Sequence, residues 1–199
     1  MNISKFDAWY QKFCSKTIIT TAVNKAYASS VVRALYNSGK SIGFNGNTKG
    51  KTAARKVATG IIVSYLSDVE QYNSLPYPIW DLWDDIRNVY HTCGITWYTY
   101  GNAQKWVAMS IKYYLFFKYS NNPLDLSNDI LADIVFPVDS RMIRKIASNK
   151  NGLLRKSVNF NWISWSQCDN KQIFIQYLSD VKAALPTGTK LLEFEIDAW

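Results

Sequence analysis

Two residues, Lys105 and Asp139, combine side chains and local sequence surroundings that suit covalent chemistry. Lys105 lies near the start of AQKWVAMSIKY (103–113), a segment predicted to be helical. The positive end of a helix dipole and partial burial both favour the neutral amine, which is the nucleophilic form of lysine. Asp139 follows the Pro137-Val138 turn and begins a further predicted helix, where backbone N–H groups would hold its carboxylate ionised and oriented. An amine beside a fixed carboxylate suits attack on a carbon that develops positive charge.

Each of these residues also has an ordinary structural interpretation. An aspartate after a Pro-Val turn is a common helix cap, and Lys105 alone could be a solvated helix residue. His91 near the end of a predicted helix is best interpreted as a packing residue. The pairing of Lys105 with Asp139, the order of the elements between them and the basic stretch after Asp139 favour the catalytic interpretation.

The spacing of apolar residues predicts an all-α chain of 199 residues without internal repeats or linkers. Helices are predicted near 2–13, 17–36, 52–68, 80–91, 103–119 and 170–185, with another beginning at 139 or 140 and a short element around 127–134. The tail TKLLEFEIDAW (189–199) alternates in polarity, which predicts a short C-terminal strand. The chain is long enough for one compact domain.

The segment from Trp80 to Ile146 contains a helix, a tight connection ending at Gly101, the helix that carries Lys105, and VFPVDSRMIRKI (135–146). This order resembles the helix-hairpin-helix superfamily of DNA glycosylases, which includes endonuclease III and the 8-oxoguanine glycosylases. The spacing of 34 positions between Lys105 and Asp139 is closest to the archaeal-type 8-oxoguanine glycosylases. The family usually has GxG before the lysine, whereas here a single glycine precedes Lys105 by four positions.

The resemblance implies two helical lobes flanking a cleft, one formed by 1–75 with 147–199 and the other, containing the hairpin, by 76–146. It implies a DNA glycosylase with Lys105 as the nucleophile and Asp139 as the stabilising carboxylate. The expected substrate is an oxidised purine such as 8-oxoguanine, and an AP lyase step could follow. Gly101 and Asn102 would contact a DNA phosphate through the hairpin. The resemblance implies neither a cofactor nor a metal ion.

The charge distribution favours DNA as the partner. The net charge is +8, and the stretches 38–56 and 141–156 carry cations without a single acid. Basic residues neutralise phosphates with release of counterions. The candidate DNA contacts in these stretches are Lys49, Lys51, Arg141, Arg144 and Lys145. For Lys49 and Lys51, which precede a predicted helix in a glycine-rich segment, a solvated loop is the alternative.

Aromatic residues make up 15% of the chain, which is more than a core of this size needs. Flat side chains can receive a base that has left the DNA stack, so Trp106, Trp162 and Trp165 are candidates for a base pocket. A bulky core is the alternative for each of them.

The remaining features limit the location of the protein and the class of its function. Cys14, Cys93 and Cys168 are widely spaced, and with His91 they form no recognisable metal site. Unpaired thiols and the absence of a signal peptide or a long apolar run predict a cytoplasmic protein, nucleoid-associated when bound to DNA. Two alternatives remain: a non-catalytic DNA-binding module on the same scaffold and a helical protein–protein adaptor.

Overall fold

A computed structural model describes residues 3–41, 46–120, 128–134, 137–148 and 164–197, and these residues contain helices and loops but no strand. The all-α prediction is therefore confirmed for this part of the chain. The helices are α1 (Ile3–Ala26), α2 (Val32–Ser41), α3 (Thr48–Tyr72), α4 (Ile79–Thr92), α5 (Tyr100–Lys118), α6 (Ser140–Ser148), α7 (Lys171–Ala184) and α8 (Leu191–Asp197), with 3-10 turns at Ile130–Asp133 and Trp165–Gln167. None of these helices is both long and apolar enough to cross a membrane.

Helix α5 is the central element, and every residue from Gly101 to Lys112 is buried. Helices α1, α4 and α7 and both 3-10 turns pack against it. Its mixed sequence nevertheless puts polar side chains, including Gln104 and Lys105, among apolar neighbours. A buried polar group needs a hydrogen-bond partner to offset the loss of water. The polar side chains of α5 must therefore find partners on the segments that pack against it.

Helices α1 and α2 form one continuous run because a π-helical turn, Tyr27–Val31, joins them. The two helices predicted at 2–13 and 17–36 are therefore wrongly divided, since no glycine or proline interrupts the chain between them. The hydroxyls of Ser29 and Ser30 both donate to the carbonyl of Ala26, at 3.3 and 2.6 Å. Single π-helical turns occur frequently at functional sites.

Helix α3 begins four residues before its predicted start because Asn47 caps it. The Asn47 side-chain oxygen accepts from the backbone N–H of Gly50 at 2.8 Å. Its side-chain amide donates to the carbonyl of Cys93 at 3.0 Å. The cap thus joins the start of α3 to the connection between α4 and α5.

The predicted C-terminal strand is wrong, because residues 191–197 form helix α8. Leu191 and Leu192 are adjacent and both buried, as is Glu195, which lies one helical turn further along. A strand would direct adjacent side chains to opposite faces. The Glu193 carboxylate accepts from the backbone N–H of Lys190 at 3.0 Å, as in a helical capping box.

Candidate active site

Lys105 and Asp139 meet across α5 and α6. The Lys105 ammonium donates to Oδ2 of Asp139 at 2.5 Å, and the two side chains are 8% and 17% exposed. Lys105 lies in the second turn of the buried α5, and Asp139 immediately precedes α6. The two residues that the sequence singled out therefore form a partly buried ion pair.

Asp139 divides its two carboxylate oxygens between α6 and Lys105. Its Oδ1 accepts from the backbone N–H groups of Arg141 and Met142 at 2.9 and 3.0 Å, so it is the helix cap predicted from the sequence. Burial alone would raise the pKa of Asp139. The charge and hydrogen bond of Lys105, together with these N–H groups, outweigh burial and lower the pKa below its ordinary value. Asp139 is therefore held as an oriented carboxylate.

Gln104 holds the segment before Asp139 in place. Its side-chain amide donates to the carbonyl of Val138 at 2.7 Å, and its side-chain oxygen accepts from the N–H of Val138 at 3.2 Å. The same amide also donates to the carbonyl of Gly101 at 3.2 Å. This double pairing ties the backbone next to Asp139 to the helix that carries Lys105. Sequence reasoning missed Gln104, and its only signal was a polar residue at a buried helix position.

The ion pair lies in a cavity of about 830 Å³. This volume is within the range of roughly 300–1,000 Å³ that is usual for small-molecule sites. Charged groups lining it come from three helices: Arg33 of α2, Lys105 of α5, Arg141 and Arg144 of α6, and Asp139 at the start of α6. Among the described lining residues, four cations therefore face one carboxylate, so the cavity favours an anionic ligand.

Arg33 is the cation of this cavity that sequence reasoning did not find. It is exposed, lies on α2 just after the π-helical turn, and precedes Asp139 by more than one hundred positions. Arg141 and Arg144, in contrast, were proposed as DNA contacts and do line the cavity. Arg144 also donates through Nε to the carbonyl of Ser140 at 3.0 Å, which orients its guanidinium along α6.

The comparison with known proteins gives no family for this arrangement. No protein-family model, curated protein or solved structure matches the chain.

Gly101 and Asn102, the expected hairpin contacts, lie inside the protein rather than at its surface. The Gly101 N–H donates to the carbonyl of Cys168 at 3.0 Å, and a Cβ at position 101 would stand 1.7 Å from the carbonyl oxygen of Trp165. Asn102 is buried, and its side-chain amide donates to Thr99 and to the carbonyl of Ser166.

The backbone N–H of Tyr100, at the start of α5, also binds another part of the chain. It donates to the Asp169 carboxylate at 3.2 Å, and that carboxylate also forms a two-bond pair with Arg87 at 2.7 and 2.5 Å. The chain segment 165–169 thus occupies the amides at the start of α5. The single glycine in place of the family's GxG was the sequence signal that the start of α5 differs from the family's hairpin.

The three tryptophans proposed for a base pocket have different environments. Trp106 is fully buried, packs on Tyr27, and donates through its indole N–H to the carbonyl of Val23 at 3.1 Å, so it belongs to the core. Trp165 is half-buried and lines the cavity, as does Tyr113. Trp162 lies outside the described residues.

Lys49 and Lys51 are not among the described residues that line the cavity. Lys49 is exposed in the first turn of α3, and the Lys51 ammonium lies 5.6 Å from the centre of the Trp97 ring. The backbone of Lys145 is part of α6, but its side chain lies outside the described part of the structure. The cavity therefore brings together Lys105, Asp139 and the arginines, and leaves the lysines of α3 elsewhere.

Proposed function

We propose that this protein is a DNA glycosylase that excises a damaged or modified base, with an oxidised purine such as 8-oxoguanine as the expected substrate. The observation that carries the proposal is the 2.5 Å contact between Lys105 and Asp139 inside an open, cationic cavity. Groups that act on one reacting atom must converge on it, and this pair satisfies that requirement. The substrate class rests on the family resemblance.

In the proposed reaction, Asp139 relays a proton along its hydrogen bond from Lys105 toward the departing base, so that its carboxyl group is protonated only in passing and the amine is freed. The amine lone pair forms a bond to C1′ of the sugar while the N-glycosidic bond breaks and its electron pair leaves with the base. The departing base collects the proton that Asp139 held. The Asp139 carboxylate, again ionised, stabilises the positive charge that develops on the sugar. Opening of the sugar ring would give a Schiff base, from which strand cleavage can follow.

The surroundings of the pair fit a nucleotide drawn out of a duplex. The cationic lining from α2 and α6 favours a phosphate-bearing ligand. Trp165 and Tyr113 supply aromatic surface at the cavity, and bases stack on such rings.

Borohydride trapping tests the proposal directly. Borohydride reduces a Schiff base to a stable covalent adduct, so incubation with a panel of lesion-containing duplexes should yield a protein–DNA complex that survives denaturation. Lys105→Gln should abolish trapping, whereas Lys56→Gln should not, because it removes an exposed cation of α3 that does not line the cavity. Neither trapping nor base release on any duplex of the panel would contradict the proposal.

A second candidate is a DNA-binding module without chemistry. The observation that favours it is the ion pair itself, because Lys105 and Asp139 also connect α5 to α6 as structural partners would. This function requires salt-sensitive DNA binding that persists in Lys105→Gln and Asp139→Asn. Binding by both variants, with no trapping by the unmodified chain, would favour it over the glycosylase.

A further inference from the structure

Two exposed arginines of the cavity, Arg33 and Arg144, form no ion pair with a described residue. Several buried or half-buried cations of the described structure instead pair with carboxylates: Arg87 with Asp169, Lys112 with Glu195, Lys118 with Asp129, and Lys171 with Asp84. At the cavity, Asp139 is the one carboxylate among the described lining residues, and Lys105 already binds it. No described carboxylate that lines the cavity is therefore left to neutralise Arg33 or Arg144.

Arg33 is the clearest case. Its guanidinium forms no hydrogen bond or ion pair with any residue that the structure describes, although it lines the same cavity as the ion pair. The π-helical turn Tyr27–Val31 precedes it directly and brings Ser29 and Ser30 to the cavity wall. The protons of both hydroxyls already go to the Ala26 carbonyl. The donors that this wall can offer an anion are therefore those of Arg33.

The second wall is α6, which carries Arg141 and Arg144. Arg144 uses its Nε for the Ser140 carbonyl, and a guanidinium retains further N–H groups that can bind two oxygens of one phosphate. The amides at the start of α5, which could otherwise hold a phosphate, are bound to Cys168 and Asp169. A phosphate near Lys105 must consequently be held by side chains rather than by that helix end.

We infer that Arg33, together with Arg141 and Arg144, binds the phosphodiester that flanks the nucleotide entering the cavity. This inference rests on the proposed function, because it assigns the DNA phosphate that accompanies the target base. Arginine is suited to the task because its planar fork matches two phosphate oxygens. The three arginines thereby connect α2 to α6 through the bound DNA backbone and orient the sugar toward Lys105.

The salt dependence of DNA binding tests the contact. The probe is a duplex that contains one tetrahydrofuran abasic analogue, which cannot be excised. Each lost phosphate contact should make the slope of log K against log salt concentration shallower by about 0.9. We expect this change for Arg33→Gln and not for Lys56→Gln, which removes the same charge from an exposed site of α3. Arg33→Lys should keep most of the slope because it keeps the charge.

A neutral methylphosphonate at the linkage on either side of the analogue identifies the phosphate. If Arg33 binds that linkage, Arg33→Gln should weaken binding of the charged duplex about tenfold and leave binding of one of the two neutral duplexes unchanged. Thermal unfolding of each variant confirms that it is folded, as expected for a substitution at an exposed position.

The possible failures can be told apart. Absence of DNA binding by the unmodified chain at low salt would contradict the proposed function and this inference with it. DNA binding with equal slopes for Arg33→Gln and Lys56→Gln would overturn the inference alone. If Arg33→Gln reduces the slope but still weakens the binding of both methylphosphonate duplexes, Arg33 binds a more distant phosphate. That result would also overturn the inference.

Discussion

Helix α5 carries two buried lysines, Lys105 and Lys112, that form ion pairs of similar length in different surroundings. The Lys105 ammonium lies 2.5 Å from Asp139, and the Lys112 ammonium lies 2.7 Å from Glu195. The two lysine side chains are almost equally buried, at 8% and 9% exposure. Asp139, however, is 17% exposed at the cavity, whereas Glu195 is fully enclosed. Lys112 does not line the cavity that Lys105 lines.

This difference shows that packing decides whether a ligand can reach a buried charge pair. Lys112 and Glu195 join α5 to α8 within the core, where no ligand of the cavity can reach them. Breaking a closed pair of this kind strongly destabilises a protein, because the remaining buried charge loses its counter-ion. Lys105 and Asp139 instead have an open side, with arginines nearby and a carboxylate whose second oxygen is fixed by α6. The open pair is therefore accessible to a ligand in the cavity.

The largest expected difference between the two pairs is in catalysis. Lys105→Gln should lower base release by at least about 10³-fold, the order of loss seen when a nucleophile is removed. Lys112→Arg, which keeps the charge of the closed pair, should leave the rate within a few-fold of the unmodified chain. Single-turnover assays on the lesion duplex that traps most efficiently would measure both. Equal losses in the two variants would mean that the open pair has no special role.

Stability should show the reverse order. Lys112→Met leaves the enclosed Glu195 carboxylate without its lysine, and we expect a loss of about 3–5 kcal/mol in the free energy of unfolding. Lys105→Met should cost about 1–2 kcal/mol, because the Asp139 carboxylate keeps two backbone hydrogen bonds and some solvent. Urea denaturation measures both values.

A paired substitution provides the control for this stability difference. Replacing both partners of the closed pair, as in Lys112→Met with Glu195→Leu, should recover most of the lost stability, because no buried charge then remains. A double variant as unstable as Lys112→Met alone would contradict the assignment of the loss to the missing lysine partner of Glu195.

Gln104 allows the open pair to be disturbed without touching either charge. Gln104→Leu leaves the N–H and C=O of Val138 without their side-chain partners and should cost about 1–3 kcal/mol of stability. The activity should fall through kcat rather than KM, because Asp139 loses its position while the arginines remain. Gln104→Glu can still accept from the Val138 N–H and should give an intermediate value. Unchanged kcat in Gln104→Leu would show that the positioning does not matter for the reaction.

The smallest expected effect is the pH dependence of stability. The pKa of Asp139 is lowered from its ordinary value of 3.8, so its stabilising contribution is complete above that value and is lost as the pH falls through the lowered pKa. Asp139→Asn removes this contribution, and its unfolding free energy should fall less steeply than that of the unmodified chain below about pH 4. Chemical denaturation at a series of acidic pH values measures the difference. Parallel curves would contradict the assigned pKa shift.

Much of the local structure could be predicted from the sequence, because it depends on residues close together in the chain. Helix α7 lies within one residue of its predicted ends at both termini, since Asn170 caps it through the N–H of Gln172 and Leu185 ends it. Asp139 was predicted as a helix cap for the same reason: the N–H groups that it binds belong to the next three residues. The helix predicted near 103–119, with Lys105 close to its start, is likewise present as α5.

The tertiary structure alone decided which distant groups meet. Gln104 reaches Val138, and Arg33 shares a cavity with Lys105, through packing that no local pattern encodes. The alternating tail became α8 because burial of adjacent leucines and Glu195 outweighed its strand-like pattern. The sequence by itself determined the chemical character of Lys105 and Asp139 and the helices that present them. The packing of those helices decides the distance between Lys105 and Asp139, the exposure of that pair to the cavity, and the enclosure of Lys112 and Glu195.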